Sequence, residues 1–317
     1  MNIIDSNSGW PTQSQPVRHS AAAVEPSALK ARLAKILSAS GVKTSEDEDA
    51  PSHFTFGVDH LDQALRGNAL QQGLPRAALH EIHGAEKPDT TSAAAMALLL
   101  AERCRTIAPK DQQDRALLWI SETGQARRQG KLYPPGLAEL GIDPARIIHV
   151  DAPNSIAVLR AAADGVRSPA MAAVIVELAG QKPKGLDLTA TRRLSLSAQK
   201  SGVLTLLLRS GGDVSDNPMP TAAFSRWSVT AAPSTPLEAN ASGQPAFDMT
   251  LLRHRSGLYG LKARVEWNRD DRNFRDITPE DSRDHSGEQR TGARAPDTGA
   301  VSALPAVREV DPDIWAA

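Results

Sequence analysis

The stretch from Gly73 to Cys104, GLPRAALHEIHGAEKPDTTSAAAMALLLAERC, constrains the fold more than any other part of this 317-residue chain. Gly73 and Pro75 mark a turn. The run AALHEIHG reads as a strand, AEKPDTT as a loop, and an alanine- and leucine-rich helix starts near Ser92. In a strand–loop–helix unit the loop N–H groups and the positive end of the helix converge on one point, which suits a phosphate. Further strands and helices alternate downstream. That order predicts an α/β fold with a mostly parallel sheet and helices on both faces.

The loop approaches the phosphate-loop pattern G-x-x-x-x-G-K-[ST] without completing it. Counted from Gly84 it reads Gly84-Ala85-Glu86-Lys87-Pro88-Asp89-Thr90-Thr91. Asp89 stands where the second glycine belongs, and Thr90 where the lysine belongs. An aspartate there repels a polyanion by about 1 kcal/mol at 4 Å even in water, and by more once desolvated. Pro88 removes one donor N–H. Gly84, Lys87, Thr90 and Thr91 are the loop residues a nucleotide would meet. The competing reading is a plain loop in which Asp89 or Thr90 caps the following helix.

The flanks of the loop carry a family resemblance. Upstream stand Phe56-Gly57-Val58-Asp59-His60-Leu61-Asp62-Gln63-Ala64-Leu65, then Gly73-Leu74-Pro75-Arg76, then Glu81-Ile82-His83-Gly84. In order and spacing they resemble the start of the bacterial recombinase core, T-G-x-x-x-L-D-x-A-L, G-L-P-x-G and E-I-x-G before the phosphate loop. With Tyr133-Pro134-Pro135-Gly136-Leu137 and Gly141-Ile142-Asp143-Pro144-Ala145-Arg146-Ile147-Ile148, the eroded loop resembles the ImuA family. These are RecA-like accessory proteins of DNA damage-induced mutagenesis. The resemblance covers about residues 52 to 268.

It implies a RecA-like core over 52–268, with a mostly parallel central sheet flanked by helices. It also implies a cytoplasmic, non-catalytic adaptor in the SOS response, acting in error-prone translesion synthesis. The implied partners are an ImuB-like Y-family protein, an error-prone replicative-type DNA polymerase and RecA. In RecA-like ATPases a glutamate just past the strand after the central helix polarises the attacking water. Glu122 matches that position, as a remnant or as a working base. An acid ending a later strand holds the water shell of magnesium, and Glu177 fits there with one extra methylene. With ATP and magnesium bound, the protein would be a DNA-dependent ATPase of recombination or repair. A SulA-like cell-division inhibitor, built on a reduced version of this fold, is a third function.

Composition excludes several classes. Cys104 is the single cysteine, so no internal disulfide or cysteine metal site is spelled out. It sits on the apolar helix and reads as a core residue. The opening MNIIDSNSGW lacks the charged start and apolar run of a signal peptide, and no run is apolar enough to span a membrane. A formal net charge of −1 gives no global attraction to nucleic acid. Local cations are the remaining route. The loop after GVLTLLL contacts single-stranded DNA in recombinases, but here it holds Asp213 and Asp216 against one cation, Arg209. The helix expected at 190–200 carries Arg192, Arg193 and Lys200. The densest basic cluster is Arg253, His254, Arg255, Lys262 and Arg264 on two expected antiparallel strands. Alternation puts some of them on one face, either as a phosphate-contacting patch or as a solvated edge.

The two ends differ from the core. Residues 1–25 are polar and rich in Pro and Ser, and predict disorder. Residues 26–51 hold an amphipathic helix, with Leu29, Leu33 and Ile36 on one face, and then the acidic linker Glu46-Asp47-Glu48-Asp49. The stripe needs a cover, from a neighbouring subunit or from the chain's own core. Residues 269–317 form an acidic tail, with eleven Asp/Glu against six Arg from Asp270 onward, and predict disorder. Near its end Ile314 and Trp315 bring apolar bulk into a polar segment, as a partner-docking motif or as a tail that tucks onto its own core.

Overall fold

The computed structural model describes residues 53–66, 71–124, 130–180, 182–210, 219–237, 241 and 243–277. The N-terminal stripe Leu29, Leu33 and Ile36 and the tail pair Ile314 and Trp315 lie outside the described residues. A short arm comes first: β1 (His53–Phe54) pairs antiparallel with β2 (Leu74–Pro75), and α1 (Asp59–Ala64) lies between them. The central unit follows as β3 (Leu79–Gly84), a 3₁₀ turn at Lys87–Asp89 and α2 (Thr90–Thr106). Then come β4 (Ala116–Glu122), α3 (Pro134–Glu139), β5 (Ile147–Ala152), α4 (Ser155–Arg167), β6 (Met171–Ala179), α5 (Leu188–Ser201) and β7 (Leu204–Ser210). The chain closes with β8 (Ser225–Ala232), β9 (Ala246–His254), β10 (Lys262–Asn268) and β11 (Asn273–Asp276).

Nine strands make one sheet in the order β11-β10-β9-β8-β3-β7-β6-β4-β5. From β8 to β5 every neighbour is parallel, and β9, β10 and β11 add antiparallel strands at one edge. This is the mostly parallel, helix-flanked sheet expected for a RecA-like core. Strands β3, β6 and β7 are buried on both sides almost throughout, which is why they read as continuous apolar runs. Helix α2 shares one core with Ile82, Leu206, Leu208 and Trp227. Helices α4 and α5 share the core on the opposite face with Val174, Val176 and Leu207. Helix α4 turns Val158, Ala162 and Val166, all fully buried, into that core.

The leading motif has a structural meaning. The Asp62 carboxylate is buried and accepts from the N–H groups of Phe56, Gly57 and Val58 at 2.8, 3.0 and 3.2 Å. Its own carbonyl accepts from Gly73 N–H at 3.1 Å, tying the arm to the second turn. Cys104 is buried on α2 as expected, and burial pushes its thiol up to about 11. The core does not end at 268. Strand β11 pairs with β10, and Phe274 stacks edge-on against Trp267 with ring centroids 5.1 Å apart. The ordered sheet therefore takes the first residues assigned to the tail. Among the described residues no helix is long and apolar enough to cross a membrane.

Candidate functional site

The loop after β3 occupies its own donors. Ala85 N–H bonds the Val229 carbonyl of β8 at 3.0 Å. Glu86 N–H is taken by the Asp89 carboxylate at 3.2 Å, and Asp89 N–H returns to the Glu86 carbonyl at 3.1 Å. Pro88 has no N–H to give, and Thr90 N–H closes the 3₁₀ turn on the Lys87 carbonyl. The expected helix cap is absent: the Asp89 side chain turns back to Glu86, and the Thr90 hydroxyl donates to the Lys87 carbonyl at 2.8 Å. The loop is also collapsed onto Gly84. A Cβ built there would lie 2.8–2.9 Å from the Asp89 carbonyl carbon, the Glu86 oxygen and the Thr90 nitrogen. Asp89 thus supplies from within the chain the anion that a phosphate would supply from outside. The residues do not fit a nucleoside triphosphate: the N–H groups of Ala85, Glu86, Asp89 and Thr90 are engaged, no lysine follows, and Lys87 is exposed on the turn.

Beside the loop, a cavity of about 240 Å³ lies between α2, the sheet and the segment Gly130–Leu140. Its polar walls are Thr90, Thr91, Ser121, Lys131, Tyr133, His149 and Glu177, and Leu98, Trp119, Leu132, Leu137 and Leu140 are among its apolar ones. So Thr90, Thr91 and Glu177 are brought together, while Gly84, Lys87 and Glu122 are not among its walls. Glu122 ends β4, half-buried, in register with Ala152. Glu177 is buried with both oxygens engaged. One accepts from the Trp119 indole at 2.9 Å, the other from the Ser210 hydroxyl at 2.8 Å. A carboxylate fastened this way positions two strands, β4 and β7, more than it presents charge to a metal's water shell. Ser121 and His149 meet at 3.2 Å. Neither belongs to the family motifs, and a polar residue inside an apolar strand run is the sequence signal for both. The volume falls below the roughly 300–1,000 Å³ usual for small-molecule sites.

Across the sheet is a buried polar network. Glu81 of β3 bonds His83 at 3.0 Å, Thr221 at 2.6 Å and Arg226 at 2.9 Å, with Arg209 at 3.8 Å. Burial pushes the Glu81 carboxyl up, but the His83 hydrogen bond, the charges of His83 and Arg226, and the Thr221 hydroxyl outweigh it and hold it at about 2. Arg209, the one cation at the start of the loop after β7, is a core residue. Its guanidinium is buried against Glu81 and donates to the Gly180 carbonyl at 3.0 Å. On the other face of β3, His80 joins Ser225 at 2.7 Å and the Pro75 carbonyl at 2.9 Å. Burial lowers its imidazole to about 4, so it is neutral near pH 7.

The basic cluster is divided. Arg264 makes a two-pronged ion pair with Asp248 across the β9–β10 ladder, both bonds 2.8 Å. Arg253 donates to the Thr221 carbonyl at 2.9 Å. Arg255 lies 5.5 Å over the Phe224 ring. His254 is buried, and Lys262 is exposed at the start of β10. Of the four nucleic-acid candidates, only Lys262 keeps a charge with no protein partner among the described residues. The solvated-edge reading fits these contacts better than a phosphate patch.

Comparison with known proteins agrees with the family read from the motifs. No family model matches the sequence. Two proteins named Protein ImuA, from Caulobacter vibrioides strains NA1000 / CB15N and ATCC 19089 / CIP 103742 / CB 15, are each 32% identical over 213 residues, covering 65% of this chain and 80% of theirs. Among solved structures, that of the RadB recombinase is similar with a TM-score of 0.45 at 15% identity, over 71% of this chain and 100% of that one. By its identity to these relatives and the length they share, the chain belongs to the ImuA family.

Proposed function

We propose that the protein is a non-catalytic adaptor in damage-induced, error-prone translesion synthesis within the SOS response. It works by holding partners rather than by turning over ATP. The observation that carries this reading is the self-satisfied loop at Gly84–Thr91. Catalysis of phosphoryl transfer is almost wholly positioning and charge stabilisation, and here the positioning donors face inward while the loop charge is negative. Family membership supports the pathway. An ImuB-like Y-family protein, an error-prone replicative-type polymerase and RecA are the proposed partners, met in the cytoplasm. The stripe Leu29, Leu33 and Ile36 and the pair Ile314 and Trp315 are the proposed contact residues.

The test is ATP hydrolysis by the full-length protein with and without single-stranded DNA. Negligible turnover is expected in both. Turnover at recombinase-like rates that disappears in Glu122→Gln would overturn the adaptor reading in favour of an active ATPase.

A further inference from the structure

The outward face of α5 carries a set of cations that neither the fold nor the adaptor reading uses. Leu188, Arg192 and Leu196 recur at every fourth residue and so line up along the helix. Leu188 is 51% exposed and Leu196 47% exposed. Arg192, Arg193 and Lys200 are exposed on the same side, and Lys182 and Lys184 are exposed in the turn that leads into the helix. Among the described residues none of these five cations has an ion-pair partner. Asp187, the acid at the head of the helix, is turned onto Ala190 N–H at 2.6 Å. The opposite side of α5, with Thr191, Leu194 and Ala198, is buried in the core.

A solvated helix face is usually polar with mixed charge. Two exposed leucines among five like charges fit a partner that is both apolar and acidic. The chain contains such a segment. Residues 307–315, VREVDPDIW, hold three acids against one arginine, and Val307, Val310, Ile314 and Trp315 are apolar. We propose that residues 307–317 dock in cis on the outward face of α5. Ile314 and Trp315 cover Leu188 and Leu196, and Glu309, Asp311 and Asp313 face the lysines and arginines.

Chain length permits this. Twenty-nine residues lie between Ile277 and Val307, and a random-coil chain of that length spans about 30 Å. A core of this size has a radius of gyration of roughly 17 Å, so the segment reaches either face. Such a tether sets an effective concentration in the millimolar range. A contact too weak to hold a free peptide is therefore populated within the chain. DNA phosphate would engage the same cations but leave the leucines uncovered, so the acidic, apolar segment is the better match. The proposal rests on exposure, charge and chain length, and stands whether or not the protein is an adaptor.

The test uses the full chain with Ala316→Cys carrying a fluorophore. Cys104 is buried with its thiol pushed up to about 11, so labelling is confined to position 316. The label should tumble slowly with the core. The slow component should be lost in Arg192→Glu with Arg193→Glu, and should return when Asp311→Arg and Asp313→Arg are added. It should also shrink in 1 M salt, where the screening length is about 3 Å. Arg192 and Arg193 are exposed, and unchanged far-ultraviolet circular dichroism verifies folding. A label that tumbles alike in the parent and the Arg192→Glu/Arg193→Glu variant overturns the proposal. So does a slow component that grows with protein concentration, which would place the segment on a second copy. Loss of DNA binding in the same variant with unchanged label motion would assign the face to nucleic acid instead.

Discussion

Glu81 shows how one buried charge organises three strands. It lies on β3, and its partners Arg209, Thr221 and Arg226 come from β7, the segment before β8, and β8 itself. Removing one member of a buried ionic network leaves the others desolvated and unpaired, which typically costs 3–5 kcal/mol. Glu81→Gln keeps the shape and removes the charge, so urea unfolding should show a loss of about that size. A loss under about 1 kcal/mol would mean the arginines are satisfied without it. The pH dependence follows in sign. Glu81 falls from 4.5 to about 2 on folding, so its stabilisation is complete above about 4.5 and is lost as pH drops toward 2. His80 falls from 6.5 to about 4, so the unfolded chain binds its proton first. Stability therefore declines as pH falls from 6.5 to 4, by about 3 kcal/mol from this imidazole alone. Thermal melting across pH 7 to 4 measures the decline. An imidazole resonance of His80 titrating near 6.5 would remove its share.

At the scale of elements, the parallel core was legible and its trimmings were not. Strands β3, β6 and β7 are buried on both faces, so their apolar runs announce them. Strand β11 has one fully buried side chain, Phe274, in four residues. Nothing in its local pattern distinguishes it from the acidic tail, and the core boundary was placed nine residues early, at 268 rather than Ile277. Motif spacing singled out Thr90, Thr91 and Glu177, and the three line one cavity. It could not reveal that Arg209 and Arg226 turn inward, because the carboxylate they share is 145 residues from Arg226 in sequence. The loop itself yields a prediction. A methyl at Gly84 would press on three backbone atoms at 2.8–2.9 Å, so Gly84→Ala must shift the 3₁₀ turn. It should lower the melting temperature by several degrees, on the order of 1–3 kcal/mol of overpacking; an unchanged melting temperature would show the loop to be pliable. The amphipathic stripe of residues 26–51 yields another. Leu33→Glu with Ile36→Glu should weaken self- or partner-association in pull-downs and leave the core's melting temperature nearly unchanged. A large drop in melting temperature would instead place the helix on its own core.

For the whole molecule, the described sheet is a rigid platform, and the contacts proposed for partners lie in the segments that flank it. The last residues, 307–317, then have two destinations, the outward face of α5 and a groove on a partner. Burying a pair such as Ile314 and Trp315 contributes a few kcal/mol, and ordering the segment takes back part of that. The net affinity for a partner is thus modest, on the order of micromolar. Competition from a weak contact in cis lowers it further without abolishing it, because the partner binds only the fraction released. Two variants should therefore move in opposite directions. Trp315→Ala, or deletion of 307–317, should reduce both partner capture and damage-induced mutagenesis, with no change in the folding of the core. Arg192→Glu with Arg193→Glu should free the segment and tighten capture of the same partner by severalfold. The measurements are pull-downs with the Y-family protein and mutation frequency after DNA damage. If the truncated protein captures partners and supports mutagenesis as well as the full chain does, residues 307–317 are not the docking element, and the contact must be sought on the core or at 26–51.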